Sequence, residues 1–328
     1  MAQRESAVVV YAALAGNALI ALTKFGAAAF TGSSAMLSEG IHSLVDTGNQ
    51  LLLLYGLNRA KQPANAAHPF GHGLQLYVYS FLVAMIVFGL GACLSVVQGI
   101  AKIRAPHPVE HAVVNYVVLG ASLVFEGAAW FVAYRHLRAD SGGKSVFASA
   151  ALSKDPAVFT VLFEDSAAVA GLVVAFAGLA FAQVLNMPVL DGVASVVIGV
   201  ILAVTALLLA RECQSLLTGE AADPAVRADI ERIARSDRMV DRVNDVLTMH
   251  FGPDDVLVAL SLDFANAASA NDVETAVTRI ERAIKDAHPE ATKVFVEAQS
   301  FEAHRRGGEP PASPAGEPSA TRNPNGDV

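Results

Sequence analysis

Several side chains able to bind a metal ion lie inside apolar segments, where charge is costly. Residues 38–57 have membrane-spanning length, and within them Glu39, His42, Asp46 and Asn49 step by three, four and three residues. That spacing places them on one helical stripe, with Gln50 beside it. The opposite side is Ile41, Leu44, Val45, Leu51 and Leu52. His42 and Asp46 can converge on one divalent ion, the imidazole giving nitrogen and the carboxylate oxygen. That mixture suits zinc and related transition metals better than magnesium or calcium. The competing reading is a polar seam hydrogen-bonded between helices. Asn and Gln would serve a seam without burying Asp, and a charge at mid-span costs about 2.5–3.5 kcal/mol on insertion scales.

The segment 159–184 carries Glu164 and Asp165 near its first third. Consecutive helical residues point about 100° apart, so only one aims straight at a given partner helix unless the other bends across. An adjacent acidic pair deep in an apolar helix has no cheap structural explanation. The bland alternative is that Glu164 lies nearer the membrane interface and is hydrated. Glu126, one turn before Trp130, is either a proton relay or a hydrogen-bonding partner of a neighbouring helix. Lys24 lies a turn and a half from the outer end of its segment, which predicts snorkelling. Asp191 opens a later apolar segment as an N-cap or N-terminal charge. His68 and His72, in His-Pro-Phe-Gly-His-Gly over 68–73, read on spacing alone as histidines of a turn rather than metal ligands.

These residues require helices that cross a bilayer. The chain is 53% apolar and 16% charged over 328 residues, with a mean hydropathy of +0.44, whereas soluble domains are about 25% charged. The apolar content excludes disorder, and two cysteines exclude a disulfide scaffold. Cys93 and Cys213 suit packing or a reduced role. The formal charge of −8, with no long basic block, argues against a nucleic-acid partner. Stretches near the ~20 residues needed to span fall at 6–30, 76–103, 112–134, 159–184 and 190–210, with 38–57 polar on one side. The first is too long for a signal peptide and lacks a basic head and a cleavage site. Arg4, Arg59, Lys61, Arg135, Arg138, Lys144, Lys154 and Arg211 flank one set of ends, while 31–37 and 186–190 carry no Lys or Arg. Only Lys102 and Arg104 run against the pattern. The positive-inside rule therefore predicts six spans with both termini cytoplasmic.

From about Arg211 charges become dense. Asp223 as N-cap and Pro224 at the first position open a helix over Pro224–Arg235. Strands follow at 243–251 and 256–264, separated by a Gly-Pro-Asp-Asp turn. A helix at 271–287 carries Val273, Val277, Ile280 and Ile284 at helical spacing, and a last strand covers Lys293–Ala298. This order predicts a small α+β sandwich of ferredoxin-like type. The expected division is a six-helix transmembrane transport domain over 1–210, a cytoplasmic domain over 211–302 and a disordered tail, rich in Pro, Gly, Ser and Glu, over 303–328.

Two motifs carry a resemblance. Thr-Gly-Ser-Ser-Ala-Met-Leu-Ser-Glu-Gly-Ile-His-Ser-Leu-Val-Asp over 31–46 is similar to the start of span two in the cation diffusion facilitator family. The loop over 68–73 is similar to the segment that family places before span three. The resemblance covers residues 6–300. It implies a homodimer that exports a divalent cation, most often zinc, against protons by alternating access, with no prosthetic group. It assigns His42 and Asp46 to the transport site and matches Asp165 to the last span-five ligand. The other span-five ligand position is Val161 here, which leaves Glu164 as the replacement and Asn49 as a weaker candidate. The Glu-Asp form resembles a branch of zinc transporters with mitochondrial and organellar members.

The resemblance also raises His68 and His72 as a loop metal site. In the cytoplasmic domain the family's zinc positions are Ala259 and Glu297, with His250 and His288 apart in sequence. No multi-histidine site is expected there, and the domain's implied role is dimerisation. Manganese, iron, cobalt or nickel as cargo, or a membrane anchor that transports nothing, are the competing functions. An enzyme is disfavoured because no zinc-protease motif, nucleophile elbow or Gly-Lys-Ser/Thr phosphate loop is present. The lack of an added targeting segment favours a bacterial-type inner membrane.

Overall fold

The computed structural model describes residues 2–31, 34–106, 112–140 and 154–307. They form helices α1 (Ala2–Thr31), α2 (Ser34–Ala60), α3 (Leu74–Arg104), α4 (Ala112–Asp140), α5 (Pro156–Val184) and α6 (Val189–Leu217). Then come α7 (Pro224–Arg235), β1 (Val240–Gly252), β2 (Asp255–Phe264), α8 (Ala270–Ala287), β3 (Lys293–Ala298) and α9 (Phe301–Gly307). The chain divides into two compact units, Met1–Ala221 with Met249–Val256, and Ala222–Thr248 with Leu257–Val328.

In the first unit, α3, α5, α6 and the Val113–Arg135 part of α4 are long and apolar enough to cross a membrane, and α1 contributes a shorter apolar stretch, Val10–Gly26. The polar stripe seen in sequence makes α2 less apolar than these. Val97, Val113, Val124, Val200 and Leu207 are exposed on the outer faces, an arrangement suited to lipid rather than water. Val10, Ala13, Leu53, Leu57, Leu76, Val83, Val161 and Ala206 form one buried cluster. Tyr77, Phe159, Leu162, Leu209 and Cys213 form another. Both cysteines are free.

α1 packs on α2 and α4, α3 on α2 and α6, and α5 on α4 and α6. Glycines let α3 and α6 touch through their backbones. A Cβ on Gly99 would lie 2.7 Å from Gly192 O, and one on Gly192 would lie 2.9 Å from Gly99 O. Val87–Cys93 in α3 is a π-helical turn. Asp191 lies in the first turn of α6, after Pro188 as N-cap, and pairs with Lys102 Nζ at 2.8 Å. The lysine that runs against the positive-inside pattern thus has an acidic partner on the neighbouring helix. α5 starts earlier than its apolar run because Asp155 accepts from Ala157 N and Pro156 fills the first position. Asn186, at φ 49°, takes the left-handed conformation that Asn tolerates in the turn between α5 and α6.

The second unit holds a three-stranded sheet in the order β1-β2-β3. β2 and β3 are parallel, in register from Leu257↔Lys293 to Leu262↔Ala298, with α8 as the crossover. Ser269 and Asp272 cap α8 reciprocally. Val258, Leu260, Leu262, Ile230, Ala234, Ala276, Ile280 and Ile284 are among its buried apolar residues. His288 Nε2 lies 3.0 Å from Asp229 Oδ2 and links the end of α8 to α7. Hydrogen bonds from Arg232 and His288 hold the Asp229 carboxyl below its ordinary value. α9 makes residues 303–307 helical, and the rest of the expected tail, 308–328, lies outside the described residues.

Candidate metal transport site

α2 and α5 bring the two acidic segments together. Asn49 Nδ2 donates to Glu164 Oε1 at 3.1 Å, and Gln50 Nε2 donates to Glu164 Oε2 at 3.4 Å. Glu164 is 8% exposed, Asp165 4%, Asn49 2% and Gln50 0%. Glu164 is therefore not a hydrated interface residue. It bends to α2, and two amides hold both of its oxygens. Asp165, next along the helix, is equally enclosed, yet its Oδ2 has no hydrogen-bond partner among the described residues; Gln50 Oε1 and Thr160 Oγ1 are in the same condition. A buried carboxylate oxygen without a donor is unstable unless a cation or proton reaches it.

Asp46, half-buried on α2, and Glu126 on α4 lie within electrostatic range of Glu164 and Asp165. His42 belongs to α2 one turn before Asp46, and its side chain falls outside the described residues. Among the described residues no three His, Cys, Asp or Glu side chains already form a metal-binding group. What the structure brings together is a set of carboxylates on α2, α4 and α5 with amide donors on α2. Such a set attracts cations and protons and competes poorly for anions.

The helices around this set are tied to it. Trp130 Nε1 on α4 donates to Ser166 Oγ on α5 at 2.8 Å, and Ser166 Oγ donates to Leu162 O at 2.6 Å. Val161 is 0% exposed and belongs to the apolar cluster with Leu53, Leu57 and Ala157, so this position contributes packing and no ligand.

The histidines of the 68–73 loop lie together, with ring centroids 4.4 Å apart. His72 is buried, with Nδ1 3.3 Å from Gln62 O, while His68 is exposed. Residues 249–256 of the same unit pack against this loop. Phe70 stacks on Phe251 at 5.1 Å, and a Cβ on Gly73 would collide with Phe251 O.

Two features escaped the sequence reading. Gln50 was visible beside the α2 stripe, yet its role in holding Glu164 depends on how α2 faces α5. Lys24 does not snorkel: it is 4% exposed and donates to Ser43 Oγ at 2.9 Å. Its spacing from Val10, Ala13, Asn17 and Ile20, all buried, was the available signal that it faces the bundle.

Residues 10–218 match the cation efflux transmembrane domain. The chain is 33% identical over 258 residues to the mitochondrial proton-coupled zinc antiporter SLC30A9 of Mus musculus, covering 78% of this chain and 46% of that protein. It is 31% identical over 257 residues to metal tolerance protein C4 of Arabidopsis thaliana, covering 78% and 56%. A shorter match, 32% over 108 residues, is to magnetosome protein MamM of Paramagnetospirillum magneticum, covering 32% and 34%. The chain spans about half the length of the first two relatives.

Proposed function

Because this chain belongs to the cation diffusion facilitator family, we propose that it is a secondary transporter exchanging zinc for protons across a membrane. The observation that carries this is the enclosed Glu164–Asp165 pair, with Asp165 Oδ2 lacking a donor among the described residues and Asp46 in electrostatic range. In this reading zinc enters between α2 and α5, and His42, Asp46, Asp165 and Glu164 replace its water shell. Asn49 and Gln50 orient Glu164. The histidine must be neutral and the carboxylates ionised to hold the metal, so protons compete for the same ligands. Alternation of access then exchanges one cation for the other without ATP. The similarity to a proton-coupled zinc antiporter over most of the chain supports this choice of cargo.

The α1–α6 helices act as six spans with both termini cytoplasmic, supported by the distribution of Lys and Arg. The second unit serves as a ferredoxin-like domain that holds two copies together, and His68 with His72 forms an accessory metal site. The many oxygens of the site support a second cargo, manganese, while His42 favours zinc, cobalt or nickel.

The test is zinc uptake by proteoliposomes under a proton gradient. Asp46→Ala and Asp165→Ala should fall to the rate of empty liposomes; parental rates in both would overturn the site. In a zinc titration Glu164→Gln and Glu164→Ala should each weaken binding by about 10–100-fold, the range for loss of a metal-site group. Unchanged affinity in both would remove Glu164 from the site. Competition between zinc and manganese decides the cargo.

A further inference from the structure

Glu164, Asp165 and Ser166 are consecutive on α5, and the first and last are held by different helices. Asn49 and Gln50 of α2 donate to Glu164, while Trp130 Nε1 of α4 donates to Ser166 Oγ at 2.8 Å. The same hydroxyl donates to Leu162 O at 2.6 Å, which leaves its lone pairs to the indole. An α-helix advances about 100° per residue, so Asp165 points between the directions of its two neighbours. Its electrostatic surroundings agree, since Asp46 of α2 and Glu126 of α4 are both in range of it. With no donor on Asp165 Oδ2 among the described residues, the direction of this carboxylate follows the rotation of α5. The bonds to Glu164 and Ser166 fix that rotation from two sides. Trp130 is in turn steadied by Tyr134, stacked on it with ring centroids 5.0 Å apart.

We propose that Trp130 is a positioning residue of the transport site: its indole N–H, acting through Ser166, sets the rotation of α5 and so the direction in which Asp165 meets the metal. This inference rests on the transport reading, in which Asp165 is a ligand. Binding constellations need their groups held to about 0.5 Å and 10–20°. A helix pinned on the α2 side alone can roll about that contact, because the long side chain of Glu164 follows the amides. The bond to Trp130 removes that freedom from the α4 side. The packing of the Trp130 ring and the hydrogen bond of its N–H are separable. The ring packs against the cluster that holds Tyr77, Phe159 and Leu162, and a phenyl group keeps much of that contact while losing the donor.

Zinc titrations and thermal unfolding of the purified full chain test the proposal with Trp130→Phe, Ser166→Ala, the two combined, and Ser166→Thr. Trp130→Phe and Ser166→Ala should each weaken zinc binding roughly tenfold, the lower end of the range for groups that orient metal ligands. The combination should bind no more weakly than either alone, because both remove one interaction. Ser166→Thr keeps the hydroxyl and should bind zinc as the parent does. Melting temperatures without metal should fall by only about 2–4 °C, the effect of one hydrogen bond. A purely structural role predicts lowered melting temperatures with the zinc affinity of the folded protein unchanged, and that result overturns the proposal. An equal loss of affinity in Ser166→Thr and Ser166→Ala does the same. Absence of zinc binding in the parent overturns this proposal together with the transport reading. Zinc binding in the parent, with the same affinity in Trp130→Phe and Ser166→Ala, overturns the role of Trp130 alone.

Discussion

Val161 and Glu164 lie about a turn apart on α5 and serve opposite ends. Val161 is enclosed by Leu53, Leu57 and Ala157, while Glu164 reaches across to Asn49 and Gln50. In the transport reading proposed above, the ligand that Val161 does not supply comes instead from Glu164 a turn later, with longer reach and a different approach to α2. Val161→Ala removes packing and no ligand. It should lower thermal stability by roughly 1–2 kcal/mol and leave zinc affinity within about twofold, far inside the 10–100-fold range for a lost metal-site group. Thermal unfolding and a zinc titration on the same preparation check both halves. A tenfold loss of affinity at unchanged stability would make the position part of the site. The acidic pair itself was legible in sequence, because two carboxylates in an apolar run stand out. Their division of labour was not, because it depends on which amides wait on the facing helix.

At the scale of elements, α3 and α6 meet backbone to backbone. Gly99 faces Gly192 O at 2.7 Å and Val196 Cγ2 at 2.7 Å from its would-be Cβ. Backbone atoms cannot yield as a side chain tip can, so any larger residue must part the helices. Gly99→Val should lower the melting temperature and abolish zinc uptake. Gly120→Ala on α4, with nothing within 4 Å of its Cβ among the described residues, should preserve both. Equal stability in the two variants would refute the close packing. Periodicity shows that a segment is a helix and which face is apolar, and it also showed the order α7-β1-β2-α8-β3. It does not show which two helices approach closest, because small residues occur throughout these segments.

For the whole molecule, the distribution of charge and the lengths of α1–α6 make one test decisive. In a background carrying Cys93→Ser and Cys213→Ala, Gln62→Cys and Met187→Cys should react with a membrane-impermeant maleimide from opposite sides. Both parent residues are exposed in connections between helices, so reactivity is not limited by burial. Labelling from the same side would overturn the six-span arrangement. Lys102 and Arg104 are the apparent exceptions to the charge rule, and the ion pair between Lys102 and Asp191 removes half of that exception, since a paired lysine is a weak topology signal.

The apolar runs, the one-sided polar stripe on α2, the acidic pair on α5 and the alternating strands near the C-terminal end were determined by sequence alone. Each is a local pattern, read from spacing along the chain, and burial forces it whatever the neighbours are. The tertiary structure decided the rest: Glu164 bent onto Asn49 and Gln50, Asp165 enclosed with no donor to its Oδ2 among the described residues, Lys24 held against Ser43 instead of reaching for the interface, and Gly99 set against Gly192. These outcomes depend on the rotation and neighbours of each helix. Packing across the whole bundle sets both, and no single segment encodes them.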